Sequence, residues 1–311
     1  MAEIDFFTFI AENSEPYAEF LYKTAEATKS GNNTINYKCS FDRDNRSVFG
    51  FRHVCTVKPY GYPSESHARA IKEALKHADS EYVVMADCDV AMLYEGWDDV
   101  VISELGESDI FSATYTNDKR FPSVYFMAFR KDAIKNLDFS PDFTEDGIVK
   151  TKITNKSLSE LWNVPIGRSI KHDTGIKISH TRKTLGYKWS LMDRVGCCDP
   201  DAKLPRYNKT VSAACSRKHS HQPEYHYNGV PFVTHKIASR LHPIHHGYGV
   251  IWKNRVVMYL NSIGINVGES IRGLIHYWNY VHTEKQKISK DERHAIIQQR
   301  RLEWRKKLKR K

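Results

Sequence analysis

The chain has 311 residues, of which 41% are hydrophobic and 12% aromatic. This composition is typical of a globular protein and excludes the disordered and fibrous classes. No apolar run reaches the roughly 18–20 residues that a membrane-spanning helix requires. The net charge of +10 is concentrated in residues 285–311, which hold 12 Lys and Arg against three acidic residues, a net +9. The rest of the chain is close to neutral, so this segment is the part that favours a polyanionic partner.

Two features of the sequence predict a cytoplasmic protein. Acidic residues occupy the positions where a secretory leader would be cationic and then apolar. They are Glu3, Asp5, Glu12 and Glu15. Cys197 and Cys198 are adjacent, which is a poor start for a disulfide framework. Cys88 lies between two carboxylates of a candidate metal site, where a disulfide would distort the geometry. A zinc site at Cys197, Cys198, Cys215, His219 and His221 is a weaker alternative, because zinc-binding pairs usually stand two to four residues apart.

The first ninety residues alternate between strand-like and helix-like patterns. Apolar runs predict strands at residues 4–10, 35–41, 53–58 and 82–86. Helical spacing predicts helices at residues 16–28 and 66–77, the first of them preceded by Ser14 as a capping candidate. This alternation predicts an α/β fold with a mostly parallel, Rossmann-like sheet and crossover helices.

After residue 90 the pattern is less regular. A short helix is predicted to begin at Gly96 and Trp97, and strands at residues 110–115 and 124–129, whereas residues 138–160 resemble a loop. Residues 173–250 are rich in Gly, Pro, His and Tyr without clear periodicity, as expected where loops build a binding site. Helical spacing then returns and predicts a C-terminal helical extension. Its candidate helices cover residues 256–263, 270–282 and 291–309.

The strongest motif is an apolar strand that ends directly in Asp87, Cys88 and Asp89. In a parallel α/β sheet, ligands bind beyond the carboxyl ends of the strands, so both carboxylates are expected to project into a site. Their hard oxygens suit Mg²⁺ or Mn²⁺, which in turn bind phosphate oxygens. The alternative for an isolated Asp-X-Asp is a solvated loop. The helix before this strand, the short link of residues 79–81 and the buried strand itself favour the metal site.

A helix of similar spacing precedes this strand in a known class of enzymes. Residues 66–78 resemble the Ala-Arg-Asn helix of the GT-A glycosyltransferases, particularly the inverting family two. Ala68 and Arg69 match that pattern, and Ala70 stands where the family has Asn. The resemblance implies a GT-A fold, a nucleotide-sugar donor (a UDP-sugar is the expected one) and Mn²⁺ or Mg²⁺ as cofactor.

The same resemblance implies roles for individual residues and segments. Thr8 and Ile10 at the end of the first strand, with Asp42 at the end of the second, would hold the nucleoside. Arg69 would face the diphosphate, and Asp87 would contact it through the cation. A catalytic domain would cover residues 1–250, comprising a nucleotide-sugar half at 1–90 and an acceptor half at 91–250. A helical region with a basic tail would follow at 251–311.

A late apolar segment provides a third candidate metal ligand. Residues 229–240 resemble the strand that ends in a metal-binding histidine in many GT-A enzymes, and this places His235 in that role. A neutral imidazole is an acceptable ligand for Mn²⁺. A buried or loop histidine is the alternative, and His242, His245 and His246 compete for the ligand position.

Transfer with inversion also needs a base that deprotonates the acceptor hydroxyl. Asp173 lies in the acceptor half beside a Gly turn, where the family places a catalytic carboxylate. Asp146, in residues 144–147, resembles the family's Glu-Asp pair more closely but lies earlier in the chain. The alternative for Asp173 is a helix N-cap. The sequence leaves retention or inversion open.

The acceptor is the least determined part of the prediction. The basic helix at residues 290–311 favours a polyanion, such as DNA that carries a hydroxymethylated pyrimidine. A surface glycan or a lipid-linked saccharide is the alternative acceptor. A nucleotidyltransferase would pair carboxylates with metal in a related sheet, but residues 11–14 lack its Gly-rich basic loop. A non-catalytic nucleic-acid-binding protein is the third function class.

Overall fold

The computed structural model describes most of the first two thirds of the chain and part of the remainder. The described residues are 1–11, 14–44, 47–59, 63–116, 119–144, 147–162, 166–167, 169–197, 199–205, 223–236 and 243–268. Within them the fold is α/β, built on a seven-stranded mixed sheet in which most of the strand pairings are parallel. The predicted α/β class with a mostly parallel sheet is therefore confirmed.

The first 130 residues supply most of this sheet. Their strands are β1 (Glu3–Ile10), β2 (Thr34–Phe41), β3 (Arg52–Thr56), β4 (Tyr82–Asp87), β5 (Val90–Met92), β6 (Ile110–Thr116) and β7 (Lys119–Arg130). Their helices are α1 (Glu15–Thr28), α2 (Pro63–Leu75) and α3 (Trp97–Glu107). The elements predicted before residue 130 are confirmed to within a few residues, except that β5 was not predicted. Ser14 is the N-cap residue of α1, but its side chain makes no capping hydrogen bond.

The later elements are shorter. The strands are β8 (Phe143–Thr144), β9 (Gly147–Ile148), β10 (Lys150–Lys152), β11 (Ser169–Lys171), β12 (Trp189–Leu191), β13 (Asp193–Val195), β14 (Glu224–Tyr227) and β15 (Val230–His235). The helices are α4 (Lys156–Trp162), α5 (Thr181–Thr184) and α6 (Pro243–Ser262), and 3-10 turns cover Lys131–Asn136 and Ile176–His180.

The strand order in the main sheet places one set of carboxyl ends at a common edge. The order is β12-β6-β7-β4-β1-β2-β3. Strand β1 runs parallel to both β2 and β4, with Phe9 opposite Asp87. Strand β7 runs antiparallel to β4 and β6. The ends of β1, β2 and β4 therefore meet at one edge of the sheet, as the motif analysis expected.

Both faces of the sheet are covered, which explains why β1 is apolar at almost every position. Ile4, Phe6 and Ile10 pack on one face with residues of α1 and α3. On this face Trp97 meets the Phe6 ring edge-on, with 5.5 Å between ring centroids. Phe7 and Phe9 pack on the other face with residues of α2. The buried strands form a rigid platform for side chains at their carboxyl ends.

A buried ion pair fixes the opposite, amino-terminal edge of the sheet. The Lys38 ammonium lies 2.9 Å from Oδ1 of Asp5 and 2.9 Å from Oδ2 of Asp79. The Ser80 backbone N–H donates to the other oxygen of Asp5 over 3.0 Å. Asp5 is fully buried, and a buried charge requires such partners to offset its desolvation. The network holds the start of β4 in register with β1, so it has a structural role remote from Asp87.

Contacts between residues divide the chain into two compact units. The first comprises Met1–Arg194 and Tyr225–Val233, and the second comprises Val195–Glu224 and Thr234–Lys311. In the second unit Glu224 accepts the backbone N–H groups of Lys203 and Leu204, at 2.8 and 3.1 Å. Arg255 of α6, almost fully buried, lies 3.7 Å from the same carboxylate. The predicted boundaries at residues 90 and 250 separate a donor half, an acceptor half and a helical region by their expected functions, and they stay a prediction.

Some segments differ from the sequence-based expectation. Residues 138–160, predicted as loop, contain β8, β9, β10 and the start of α4. The helix predicted at residues 256–263 is the last part of the longer α6, which begins at Pro243. The helices predicted at 270–282 and 291–309 lie outside the described residues. Among the residues that are described, no helix is long and apolar enough to span a membrane.

The cysteines also differ from expectation. Cys39, Cys55 and Cys88 are free thiols. Cys197, however, is disulfide-bonded. The interpretation of this cysteine as a poor candidate for a disulfide was wrong, because an adjacent cysteine does not prevent Cys197 from forming one. A sulfur in a disulfide is not a zinc ligand, so the zinc alternative loses Cys197.

Candidate metal centre

Asp87 and Asp89 flank a tight turn at the carboxyl end of β4. Asp87 is the last residue of that strand, and β5 begins at Val90 directly after the turn. Cys88 between them is buried at 2% exposure, so the turn is anchored in the core. Because Cys88 points inward, its two neighbours are left to face the edge of the sheet, where both are partly exposed.

The buried imidazole of His235 completes a cluster with these carboxylates. One ligand atom from each of Asp87, Asp89 and His235 lies within 4.8 Å of the others. His235 ends β15, which lies next to β5 in a four-stranded sheet of order β13-β14-β15-β5. The Leu93 N–H donates to the Phe232 carbonyl over 2.9 Å, which ties the segment after β5 to β15. Three predicted ligands that are far apart in sequence are therefore neighbours.

The donor set of this cluster fits a divalent cation. Two carboxylates supply hard oxygen ligands, and the imidazole supplies one nitrogen. Mg²⁺ prefers oxygen ligands and retains several waters, whereas Mn²⁺ accepts carboxylates and tolerates nitrogen. The residues present fit Mn²⁺ better than Mg²⁺.

His67 is a neighbour of the cluster that the sequence analysis did not identify. Its Nε2 lies 3.2 Å from Oδ1 of Asp87. Its ring packs edge-on against Phe9, with 5.5 Å between centroids and 67° between ring planes. A usable signal was present: His67 shares the buried stripe of α2 with Ile71 and Ala74, four and seven residues later.

Tyr17 of α1 is a second neighbour. Burial, and then the negative charge of Asp89, raise the pKa of the Tyr17 hydroxyl well above its usual value. The hydroxyl therefore stays protonated at any physiological pH and retains a hydrogen to donate.

The residues predicted to hold a nucleoside lie at the same edge of the sheet. The Asp42 backbone N–H donates to the Ile10 carbonyl over 3.1 Å, which joins the ends of β2 and β1. The side chains of Thr8 and Ile10 are buried, at 0% and 2% exposure. Because these side chains point into the core, a ligand at this edge of the sheet would contact the main chain of β1 and not the side chains of Thr8 and Ile10. Their nucleoside role stays a prediction.

Arg69 is exposed on α2. It lies two residues after His67, which places it about 200° around the helix axis. The hydrogen bond from Lys76 lowers the pKa of Glu73, one turn further along the helix, and the charge of Arg69 adds to this effect. The predicted contact between Arg69 and a diphosphate is untested.

Asp173 lies in the loop after β11 and is partly exposed. Its Oδ1 accepts the Thr174 N–H over 2.8 Å. The Thr174 hydroxyl donates to the Ser64 carbonyl at the start of α2, over 2.9 Å. The loop with Asp173 is thus attached to the helix that carries His67. The other candidate base, Asp146, lies outside the described residues, as does His242, while His245 and His246 lie in the first turn of α6.

A hydrogen-bonded network fixes the base of this loop. His172 Nδ1 lies 2.7 Å from Asp142 Oδ2, and His172 Nε2 lies 2.7 Å from the Thr151 hydroxyl. Lys177 lies 3.0 Å from the other oxygen of Asp142. Burial acts to raise the pKa of Asp142, but the bonds from His172 and Lys177 outweigh it and hold this pKa below its usual value. These contacts hold the residue before Asp173 in a fixed position.

Comparison with known proteins gives no family. No protein-family model matches the chain, and no curated protein matches it significantly.

Proposed function

We propose that this protein is a metal-dependent glycosyltransferase of the GT-A fold that transfers a sugar from a nucleotide sugar, in the first instance a UDP-sugar, to an acceptor hydroxyl. One observation carries the proposal: Asp87, Asp89 and His235, on two different strands, converge at the carboxyl edge of a mostly parallel sheet. That edge is where α/β sheets bind nucleotides.

The cluster has a defined task in such a reaction. Asp87, Asp89 and His235 would hold Mn²⁺ or Mg²⁺ against the diphosphate of the donor. When bound, the cation offsets the negative charge that develops on the departing nucleotide. Asp42 and the main chain at the end of β1 would position the nucleoside, and Arg69 would face the diphosphate.

Asp173 is the proposed base. A base must reach the proton of the acceptor hydroxyl, directly or through one water. The link from Thr174 to Ser64 attaches the Asp173 loop to the first turn of α2, one turn before His67. This attachment supports the proposal, because it keeps a carboxylate on the side of α2 that faces the carboxyl edge.

The proposed acceptor is a polyanion, such as DNA with a hydroxymethylated pyrimidine. The support is the net +9 of residues 285–311, since clustered cations bind phosphates without sequence preference. The proposal includes a cytoplasmic location. The disulfide at Cys197 argues against that location, because disulfides are rare in reducing compartments.

The test measures release of free nucleotide from a panel of nucleotide sugars in the presence of Mn²⁺. We expect release from one donor, loss of release in EDTA, and loss in Asp89→Asn with the folded structure retained. Asp132→Asn is the matched control: it is exposed and follows β7, at the end that pairs with the start of β4. Asp132→Asn should keep full activity.

Two results would contradict the proposal. Full activity of Asp89→Asn or of the EDTA-treated protein would remove the metal centre. Release of pyrophosphate from a nucleoside triphosphate and a sugar phosphate, with no release from any nucleotide sugar, would make the protein a nucleotidyltransferase.

A further inference from the structure

His67 is held against Asp87 by packing of its ring on Phe9. The ring is only 26% exposed and lies edge-on to Phe9, the residue opposite Asp87 in the pairing of β1 with β4. Its Nε2 is 3.2 Å from Oδ1 of Asp87, within hydrogen-bond distance. The same strand pair therefore fixes both the carboxylate and the ring that approaches it.

The helix that carries His67 is itself immobilised. Ile71 and Ala74, on the same stripe of α2, are fully buried. At the start of the helix, the Ser64 carbonyl accepts the Thr174 hydroxyl over 2.9 Å. The approach of His67 to Asp87 therefore does not depend on the rotamer of an exposed side chain.

The chemistry of His67 and Asp87 determines which of the two donates the hydrogen bond. An ionised carboxylate only accepts hydrogen bonds, so the Nε2 of His67 must carry the hydrogen. A hydrogen bond to one oxygen of Asp87 restricts the rotation of this carboxylate. The carboxylate therefore loses less conformational entropy when a cation binds. Outer partners of this kind commonly contribute about 10–100-fold to metal affinity.

We infer that His67 is a positioning residue that donates to Asp87 and orients this carboxylate for the divalent cation. This role rests on the metal centre of the proposed function. It differs from ligation, because the cation contacts Asp87, Asp89 and His235 and acts on His67 only through Asp87. It also differs from a packing role, because packing requires only an aromatic ring, whereas the positioning role requires the N–H donor of His67.

The experiment titrates the full chain with Mn²⁺ alone and follows the free ion by electron paramagnetic resonance. His67→Phe keeps an aromatic ring against Phe9 and removes the donor, whereas His67→Gln keeps a donor and removes the ring. We expect the Mn²⁺ affinity of His67→Phe to fall about 10–100-fold. The affinity of His67→Gln should stay closer to that of the parent. His77→Phe, at an exposed histidine just after α2, should bind as the parent does.

Each other outcome overturns the inference, in a distinguishable way. If His67→Phe binds Mn²⁺ as tightly as the parent, the ring acts by packing and only the inference about His67 fails. If His67→Gln loses as much affinity as His67→Phe, the donor is not what the site requires. If the parent protein itself does not bind Mn²⁺, or Asp89→Asn binds it equally well, the metal centre fails together with the role of His67. Thermal melts of all variants identify a loss of affinity that merely follows unfolding.

Discussion

The carboxylates of Asp87 and Asp89 face each other across a single residue, and the imidazole of His235 lies within 4.8 Å of both. Two negative charges at such a distance repel unless hydrogen atoms or a cation separate them. His67 and the protonated Tyr17 hydroxyl are donors on the two helices beside the pair. Hydrogen bonds from such donors leave the negative charge of the two carboxylates in place, and this charge favours a divalent cation.

His235 determines which cation the cluster prefers. Replacing it by Gln removes the nitrogen ligand, and we expect Mn²⁺ affinity to fall by more than about tenfold, at least as much as for loss of an outer partner. Mg²⁺ binding should change less, because Mg²⁺ gains little from nitrogen. Competition between the two ions, measured by calorimetry, gives the ratio of Mn²⁺ to Mg²⁺ affinity.

The control for this prediction is another buried histidine in a neighbouring strand. His226 of β14 is 4% exposed and does not belong to the cluster. His226→Gln should leave the ratio of Mn²⁺ to Mg²⁺ affinity unchanged. An equal change in both variants would mean that the ratio reflects a general loosening of the strands.

At the scale of elements, the loop that carries Asp173 depends on one glycine. Gly175 has a φ of +79°, and a Cβ at this position would collide with Cγ1 of the buried Val124. Gly186 has a similar φ of +71° but open space around it. A left-handed conformation costs other residues roughly 1–2 kcal/mol, and overpacking a core adds about 1–3 kcal/mol.

Gly175→Ala should therefore reduce the free energy of unfolding by about 2–5 kcal/mol, and Gly186→Ala by about 1–2 kcal/mol. Urea denaturation of both variants provides the two values. Equal losses would show that Val124 moves aside easily and that the loop is not fixed by this contact.

The elements that the sequence predicted well share a physical property. Strands β1, β2 and β4 are buried runs of six to eight residues, and α1 and α2 begin and end near Pro, Gly or charged residues. Asp87, Asp89 and His235 could be singled out because each lies at the end of an apolar run or just after it. Strands of two or three residues, such as β8 to β11, are too short to show a period of two. Helix α6 was only partly found because its residues 252–257 are all buried, which hides any helical stripe.

Contacts between helices and strands could not be predicted from the sequence. His67 reaches Asp87 only because α2 packs on the face of the sheet that carries Phe7 and Phe9, and no spacing along the chain encodes that distance. Tyr17 approaches Asp89 from α1, which packs on the other face. Hydrogen bonds such as that from Thr174 to Ser64 join residues 110 positions apart. Such pairs depend on tertiary packing, so only the fold identifies them.

At the scale of the whole molecule, charge is distributed unevenly. Nearly all of the net +10 belongs to residues 285–311, and the remaining residues carry about +1. Under the proposed function, a neutral body with a basic segment would separate two tasks: the body would select the donor, and the segment would supply affinity for the acceptor. If that division holds, the two properties can be changed independently.

The test of this division substitutes cations in the full-length chain. Replacing Lys306, Lys307, Lys309 and Arg310 by Gln removes four charges from the segment. Each phosphate contact contributes about −0.9 to the slope of log affinity against log salt concentration for duplex DNA. If all four residues contact phosphates, the slope should become less steep by about 3.6. Nucleotide release from the donor without acceptor should not change.

A matched variant removes the same charge from the body, by Gln at four exposed lysines: Lys135, Lys150, Lys152 and Lys203. DNA binding of the parent and both variants is measured by fluorescence anisotropy at four salt concentrations. Equal slopes for the two variants would mean that net charge alone attracts DNA. Unchanged DNA binding together with weaker binding to anionic vesicles would move the acceptor to a membrane surface. A loss confined to the segment variant is the expected result, because counterion release depends on cations that contact the phosphates and not on distant ones.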